Sequence, residues 1–257
     1  MIHCELHDSF AVVTMSGKDE TNALGASEAR QLEKVFSELK LNEATRTVVL
    51  TGAGDHAFSI GVDYAEMAPL TSEKAGELAR EWQALTSLIG NPGKPVIAAV
   101  NGLAFGAGCD LALACTWRIA ASNAEFAYRE VPRLSAPDFG CAARLSQLIG
   151  KSRALEMILT GDAIDAEEAL RIGLINHIAR DREELMGVCG KLAVSIGRNA
   201  PLAVKYALEA VNYGMEVSLD EGLALESAYF GLCFATEDTR EGTRAFLEKR
   251  PPVFEGK

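Results

Sequence analysis

The stretch Lys94–Asp110, KPVIAAVNGLAFGAGCD, constrains the fold of this chain more than any other. Val96–Val100 is an unbroken apolar run of the kind a strand buried on both faces requires. Asn101-Gly102 then turns the chain, Gly106, Ala107 and Gly108 follow with almost no side chain, and Asp110–Ala114 reads as the start of a helix. A strand, a small-residue turn and a helix N-terminus leave backbone N–H groups unpaired and approachable. A ligand can come close to such a backbone, and Asp110 brings a carboxylate to the same spot. The stretch therefore reads as a site that binds a polarised oxygen and does chemistry beside it. The competing reading is a close strand–helix packing turn.

With 257 residues the chain suits one large domain, or one domain with an appendage, and buries a sizeable core. No apolar run approaches the length of a membrane span, and Met1–Glu5 lacks the basic-then-apolar layout of a signal peptide. A cytoplasmic protein with no membrane partner is expected. Cys4, Cys109, Cys115, Cys141, Cys189 and Cys233 are scattered, with no CxxC and no histidine at metal spacing. No disulfide and no metal site is expected, and Cys109 reads as packing. A net charge of −11 argues against a nucleic-acid partner, which needs a basic footprint, but leaves room for an anionic ligand held by local cations.

Along the chain, Phe10–Met15 and Thr47–Leu50 read as strands, and Ala29, Leu32, Val35, Phe36 and Leu39 mark an amphipathic helix between them. Residues 55–70 read as a loop. Leu78, Trp82, Leu85 and Ile89 mark a helix ending at Gly90, and Trp117–Ala120 and Glu125–Tyr128 give two more strands. Strand, strand, helix recurs at irregular spacing, which predicts an α/β coil of sheet turns with helices outside. From Asp138 the chain is mostly helical. Asp165 with Glu168, and Ser218 with Glu221, are capping pairs, and Pro201 suits a first helical turn. A last helix from about Glu237 to Lys249 is expected to stop at Pro251-Pro252. Residues 201–257 carry apolar side chains on more than one face, so an oligomerisation region is expected there, appended to a core of residues 1–200.

The motif Lys94–Asp110 resembles that of the crotonase superfamily, the enoyl-CoA hydratases, isomerases and their relatives. Three further segments match in order: His56–Asp63, Leu159–Asp162 with Ala166, Ala169, Gly173 and Leu174, and Ala235–Asp238 running through Glu241-Gly242 to Ala245–Arg250. The resemblance implies a crotonase-type spiral of ββα turns with a helical C-terminal trimerisation region, assembled as a homotrimer or a dimer of trimers. It implies an acyl-CoA substrate, with coenzyme A arriving as part of that substrate and no separate cofactor. Two backbone N–H groups, here Val62 and Ala107, would hold the thioester oxygen as an enolate forms. Losing one such donor from an enzyme costs about 2.7–4 kcal/mol. The carboxylates at the matching catalytic positions are Asp110 and Glu130. Ala23, Ser59, Ile60, Gly61, Asp63, Tyr64, Gly106 and Lys249 fall where the family contacts its substrate, Lys249 facing the 3′-phosphate, with a solvated helix-end lysine as the alternative.

The chain also departs from the family. Alanine stands at position 107 where glycine is usual, so the donor survives only if that residue needs no positive φ. Asp110 replaces a glutamate and withdraws its carboxylate by roughly 1.5 Å. Arg129 replaces a proline, free to clamp a carboxylate or to face solvent. Asp138, in Ala136–Gly140, reads either as a helix N-cap or as a third catalytic carboxylate. The leading expectation is hydration of a 2-enoyl-CoA. Δ3,Δ2-enoyl-CoA isomerisation with Glu130 or Asp138 as base, thioester hydrolysis, and an RNA- or CoA-binding protein with little turnover are the alternatives.

Overall fold

A computed structural model describes residues 1–133 and 135–257. In chain order it holds β1 (Ile2–Leu6), β2 (Phe10–Met15), α1 (Ala26–Leu41), β3 (Thr47–Gly52), β4 (Ala57–Ser59), α2 (Tyr64–Met67), α3 (Ser72–Gly90), β5 (Val96–Val100), β6 (Leu103–Phe105) and α4 (Ala107–Ala114). There follow β7 (Trp117–Ala121), β8 (Glu125–Ala127), α5 (Glu130–Arg133), α6 (Cys141–Ile149), α7 (Lys151–Thr160), β9 (Ile164–Asp165), α8 (Ala166–Arg171), β10 (His177–Ala179), α9 (Arg182–Gly197), α10 (Pro201–Gly214), α11 (Leu219–Phe234) and α12 (Glu237–Glu248).

Two sheets share these strands. The larger runs β1-β2-β3-β5-β7-β10 and the smaller β4-β6-β8-β9. From β2 to β10 every neighbour in the larger sheet is parallel, and β4, β6 and β8 are parallel in the smaller. Each of β3-β4, β5-β6 and β7-β8 gives its first strand to one sheet and its second to the other before a helix closes the turn. The coil of sheet turns is thus present as a spiral of ββα units.

Both faces of the central strands β3 and β5 are covered, every residue of both being buried, which is why β5 is an unbroken apolar run. Val48, Leu50, Val96, Ala98 and Val100 point into the main core, with Phe36, Trp82, Ile89 and Leu111. Val49, Ile97, Ala99 and Ile119 point the other way, onto Leu185, Cys189 and Ala193 of α9. Lys94 is tied in just before β5, where Nζ donates to Leu39 O (2.6 Å) and Asn42 O (2.9 Å) at the C-terminus of α1.

Several boundaries differ from the sequence reading. β4 and α2 lie inside the expected loop of residues 55–70, and β6 follows the Asn101-Gly102 turn directly. The helix expected from Asp110 begins at Ala107, because Gly106, at φ 52°, sets up its first turn. The last helix stops at Lys249, which adopts the left-handed region at φ 53°, ahead of the prolines. Ser218 and Glu221 form the full reciprocal capping box. Asp165 accepts from Glu168 N, but the Glu168 carboxylate turns to Arg153 and Arg171 instead of returning.

The C-terminal helices carry the exposed apolar surface. No side chain of α10 or α11 is fully buried, and Leu219 (76%), Phe230 (67%), Phe234 (60%) and Phe246 (83%) stand open. Among the described residues no helix is long and apolar enough to cross a membrane.

Candidate active site

The site is built where β4 leaves the smaller sheet and passes the start of α4. Two buried asparagines fix this passage. Asn22 donates to Ala53 O and Ala57 O, and Asn101 to Gly54 O and Ala57 O, so both amides meet on one carbonyl. Asn22 holds φ 50°, a conformation asparagine tolerates better than most residues. Residues 21–24 then run beside 60–63 through Ile60 N to Thr21 O (3.1 Å), Leu24 N to Gly61 O (2.8 Å) and Asp63 N to Leu24 O (3.1 Å). Ser59 is fully buried. Its hydroxyl donates to Asn22 O and accepts from Gly61 N, so it shapes the loop from within. Asp63 caps α2 through Ala65 N and pairs with Lys18, which leaves Tyr64 half exposed on the first turn of that helix.

Gly61 has φ 91°, and a methyl added there would come within 2.8 Å of Ala107 N. Bond lengths alone then put the Val62 and Ala107 nitrogens no more than about 7 Å apart. Neither N–H has an acceptor among the described residues. Ala107 is the first residue of α4, where a helix leaves its N–H groups unpaired. The positive φ of the turn falls on Gly106, so alanine at 107 keeps its donor without strain. Gly108 packs tightly under this turn, since a Cβ there would meet Ser59 O at 2.0 Å.

Glu130 opens α5 beside the same turn. A Cβ on Gly106 would stand 2.1 Å from Glu130 Oε1, so the carboxyl occupies the space that glycine leaves. Glu130 Oε2 is buried and has no hydrogen-bond partner among the described residues. Burial, with the charge of Asp138 adding to it, raises the Glu130 carboxyl above its ordinary value. Arg129 is half-buried with its guanidinium 4.2 Å above the Phe105 ring, and among the described residues it pairs with no carboxylate.

Asp110 lies one helical turn into α4, 2% exposed, and accepts a hydrogen bond from Tyr128 Oη at 3.1 Å. Burial holds it well above the carboxylate range, and the charges of Asp138 and Glu130 add to that against the Tyr128 hydrogen bond. Asp138 is not the N-cap of α6, for that position belongs to Gly140 at φ 110°. Asp138 is held by its neighbours instead. Gln83 of α3 donates to its carbonyl at 2.9 Å, and the next residue, Phe139, stacks on Trp82 at 5.1 Å. Burial lifts the Asp138 carboxyl to about 6.

The residues Ala23, Ser59, Ile60, Gly61, Val62, Asp63, Gly106, Ala107, Asp110 and Glu130 thus lie on adjoining segments, and Asp138 bears electrostatically on both other carboxyls. Lys249 is exposed at the end of α12, with no ion pair or hydrogen bond to this cluster among the described residues. Sequence reasoning missed Tyr128 and the clamping roles of Asn22 and Asn101. Asn101 stood inside the Lys94–Asp110 stretch already singled out, whereas an aromatic residue after a short strand carries no signal of its own.

The enoyl-CoA hydratase/isomerase family model matches residues 5–257. The short-chain-enoyl-CoA hydratase of Clostridium acetobutylicum is 41% identical over 249 residues, covering 96% of this chain and 94% of the relative. The crotonyl-CoA hydratase of Syntrophomonas wolfei is 40% identical over 250 residues, covering 97% and 96%. The crystal structure of an enoyl-CoA hydratase from Bacillus anthracis superposes with a TM-score of 0.95 at 33% identity, over 100% of this chain and 99% of that one. An unbroken match from the first strand to the last helix, on a fold already seen to be a ββα spiral, leaves one assignment: the chain belongs to the enoyl-CoA hydratase/isomerase family of the crotonase superfamily.

Proposed function

We propose that this protein hydrates a 2-enoyl-CoA thioester. The observation that carries the reading is Glu130, whose Oε2 is buried and whose Oε1 lies against Gly106, next to Ala107; among the described residues Oε2 has no partner and the Val62 and Ala107 N–H groups have no acceptor. A thioester oxygen between those donors gains hydrogen bonds that strengthen as enolate charge develops on it. Glu130 Oε1 lies against Gly106, next to the Ala107 donor, and so beside the α-carbon of a thioester bound there. As water adds its hydroxyl to the β-carbon, the alkene electrons pass to the thioester and then take a proton at the α-carbon. Water gives one proton to an ionised carboxyl and a protonated carboxyl gives one to carbon, and exchange with solvent restores both. Raised carboxyls in a dry pocket can hold these two states near neutral pH. Glu130 is read as the group at the α-carbon and Asp110 as its partner.

The reading is tested by following loss of the conjugated thioester absorbance of crotonyl-CoA. Glu130→Gln is expected to lower kcat about 100-fold or more, the range for loss of a general acid–base. Wild-type protein that leaves crotonyl-CoA unchanged defeats short-chain hydration. Asp138, uncommitted to a cap and raised to about 6, favours one second reading, proton transfer along the chain of a 3-enoyl-CoA, checked as gain of the same absorbance.

The open apolar faces of α11 and α12 support a homotrimer or a dimer of trimers. Residues 201–257 are read as the assembly region of a core formed by residues 1–200. In that arrangement Lys249 would meet the coenzyme A phosphate of a neighbouring subunit.

A further inference from the structure

Tyr128 follows β8 and is 2% exposed, and its hydroxyl is the one hydrogen-bond partner of the Asp110 carboxyl among the described residues. It holds Oδ1 at 3.1 Å and leaves Oδ2 without a partner. A buried phenol needs a hydrogen-bond partner, but nothing in packing requires that partner to be a carboxylate at the mouth of α4. Asp110 is a short acid at a place where reach matters. Its own backbone N–H is spent on Gly106 O (3.0 Å), so the helix turn cannot slide to bring the carboxyl forward. A rigid hydroxyl arriving from the opposite strand fixes one oxygen and so determines where the other points.

We propose that Tyr128 is a positioning residue, which holds Asp110 with Oδ2 toward Glu130 so that the shorter acid still serves as Glu130's partner in hydration. The inference rests on the hydration reading above. The groups that face Asp110 are Glu130 from α5, Asp138 from the segment before α6, Arg144 and Cys141 from α6, and Cys109 from α4 itself. Burial and the two carboxylates push Asp110 upward, and the Tyr128 hydrogen bond is the largest influence in the opposite direction, ahead of Arg144. The hydroxyl therefore does two things at once. It aims the carboxyl, and it keeps the carboxyl able to ionise. Without it Asp110 stays protonated to higher pH and rotates freely.

The test is Tyr128→Phe in the full-length protein, assayed on crotonyl-CoA. The expected result is a kcat lower by about tenfold or more with KM little changed, and an acid limb of the kcat profile moved up by about half a pH unit or more. In an Asp110→Asn background, the same change should have no further effect, because no carboxylate remains to be aimed. An equal loss in both backgrounds, or a profile that overlays the wild type, overturns the proposal. If Tyr128→Phe does not fold, 3-fluorotyrosine at position 128 keeps the shape with a more acidic hydroxyl. It should move the acid limb to lower pH, and an unmoved limb overturns the proposal equally. Wild-type protein inert toward crotonyl-CoA defeats the hydration reading and this one with it. An active wild type with an unresponsive Tyr128 defeats this one alone.

Discussion

Asp138 shows how one carboxyl links placement to stability. Its acid is lifted to about 6 by burial, against an ordinary value of 3.8 in the unfolded chain. Below about pH 4 it is protonated in both states. As pH rises through about 6, the folded protein must hold a charge that the unfolded chain holds more easily in water, and the stability that was present at low pH is lost. Solvent screening at this half-buried group leaves about 1–2 kcal/mol of that difference. Asp138→Asn should therefore raise the melting temperature by about 3–6 °C at pH 8 and leave it unchanged at pH 4, as read by calorimetry. A gain of the same size at both pH values would show that charge is not the cause. At this scale the sequence was informative wherever chemistry needs a particular residue type. Glu130, Asp110 and the glycines of the turn were singled out from sequence, and the structure brings them together around the start of α4, with Gly106 at φ 52° and Gly108 against Ser59 O leaving no room for a side chain. Arg129 and Asp138 were ambiguous because their roles depend on what lies across the cavity. The Phe105 ring, 24 residues before Arg129, takes up that guanidinium, and Gly140, two residues beyond Asp138, takes the cap position that Asp138 would have filled.

Among elements, the long ones were legible and the short ones were not. β5, α1 and α3 declare themselves by five or more residues of consistent periodicity. β4 and β6 have three residues each, too few for alternation to be distinguished from a loop, and they are created by pairing with each other and, for β6, with β8. Their exact placement nonetheless carries the donor loop. Asn101 pins it from beneath, accepting from Gly52 N at 2.9 Å and donating to Gly54 O and Ala57 O. Asn101→Ala leaves these buried groups unpaired and should cost about 2–4 kcal/mol, roughly 5–12 °C of melting temperature. Activity at a temperature where the variant remains folded should fall as well, since the Val62 donor hangs from the loosened strand. A variant that melts as the wild type would show that Asn101 does not carry the loop.

On the scale of the molecule, the spiral follows from its turns. Each ββα unit covers one face of the larger sheet with a helix and hands its second strand to the smaller sheet, so no single unit is stable alone. The sequence shows the recurrence, but not that alternate strands part into two sheets, because partition depends on pairing between residues 20 to 58 positions apart. The C-terminal helices were legible as a surface in need of cover and remain so in the structure. Replacing Phe230 and Phe234 together by glutamate should lower the mass of the proposed assembly in analytical ultracentrifugation, with the spiral still folded by circular dichroism. Unchanged mass would move the interface elsewhere.

The single carbonyl of Ala57 has a further consequence. It receives amides from Asn22 and Asn101, two residues that lie 35 positions before it and 44 positions after it along the chain. Until both ends have arrived, neither half of the clamp is complete and the loop after β4 has nothing to rest on. This corner is therefore closed by long-range contacts, whose loop-closure entropy the clamp must offset. Catalytic competence in this protein thus depends on three separate stretches of chain meeting on one oxygen.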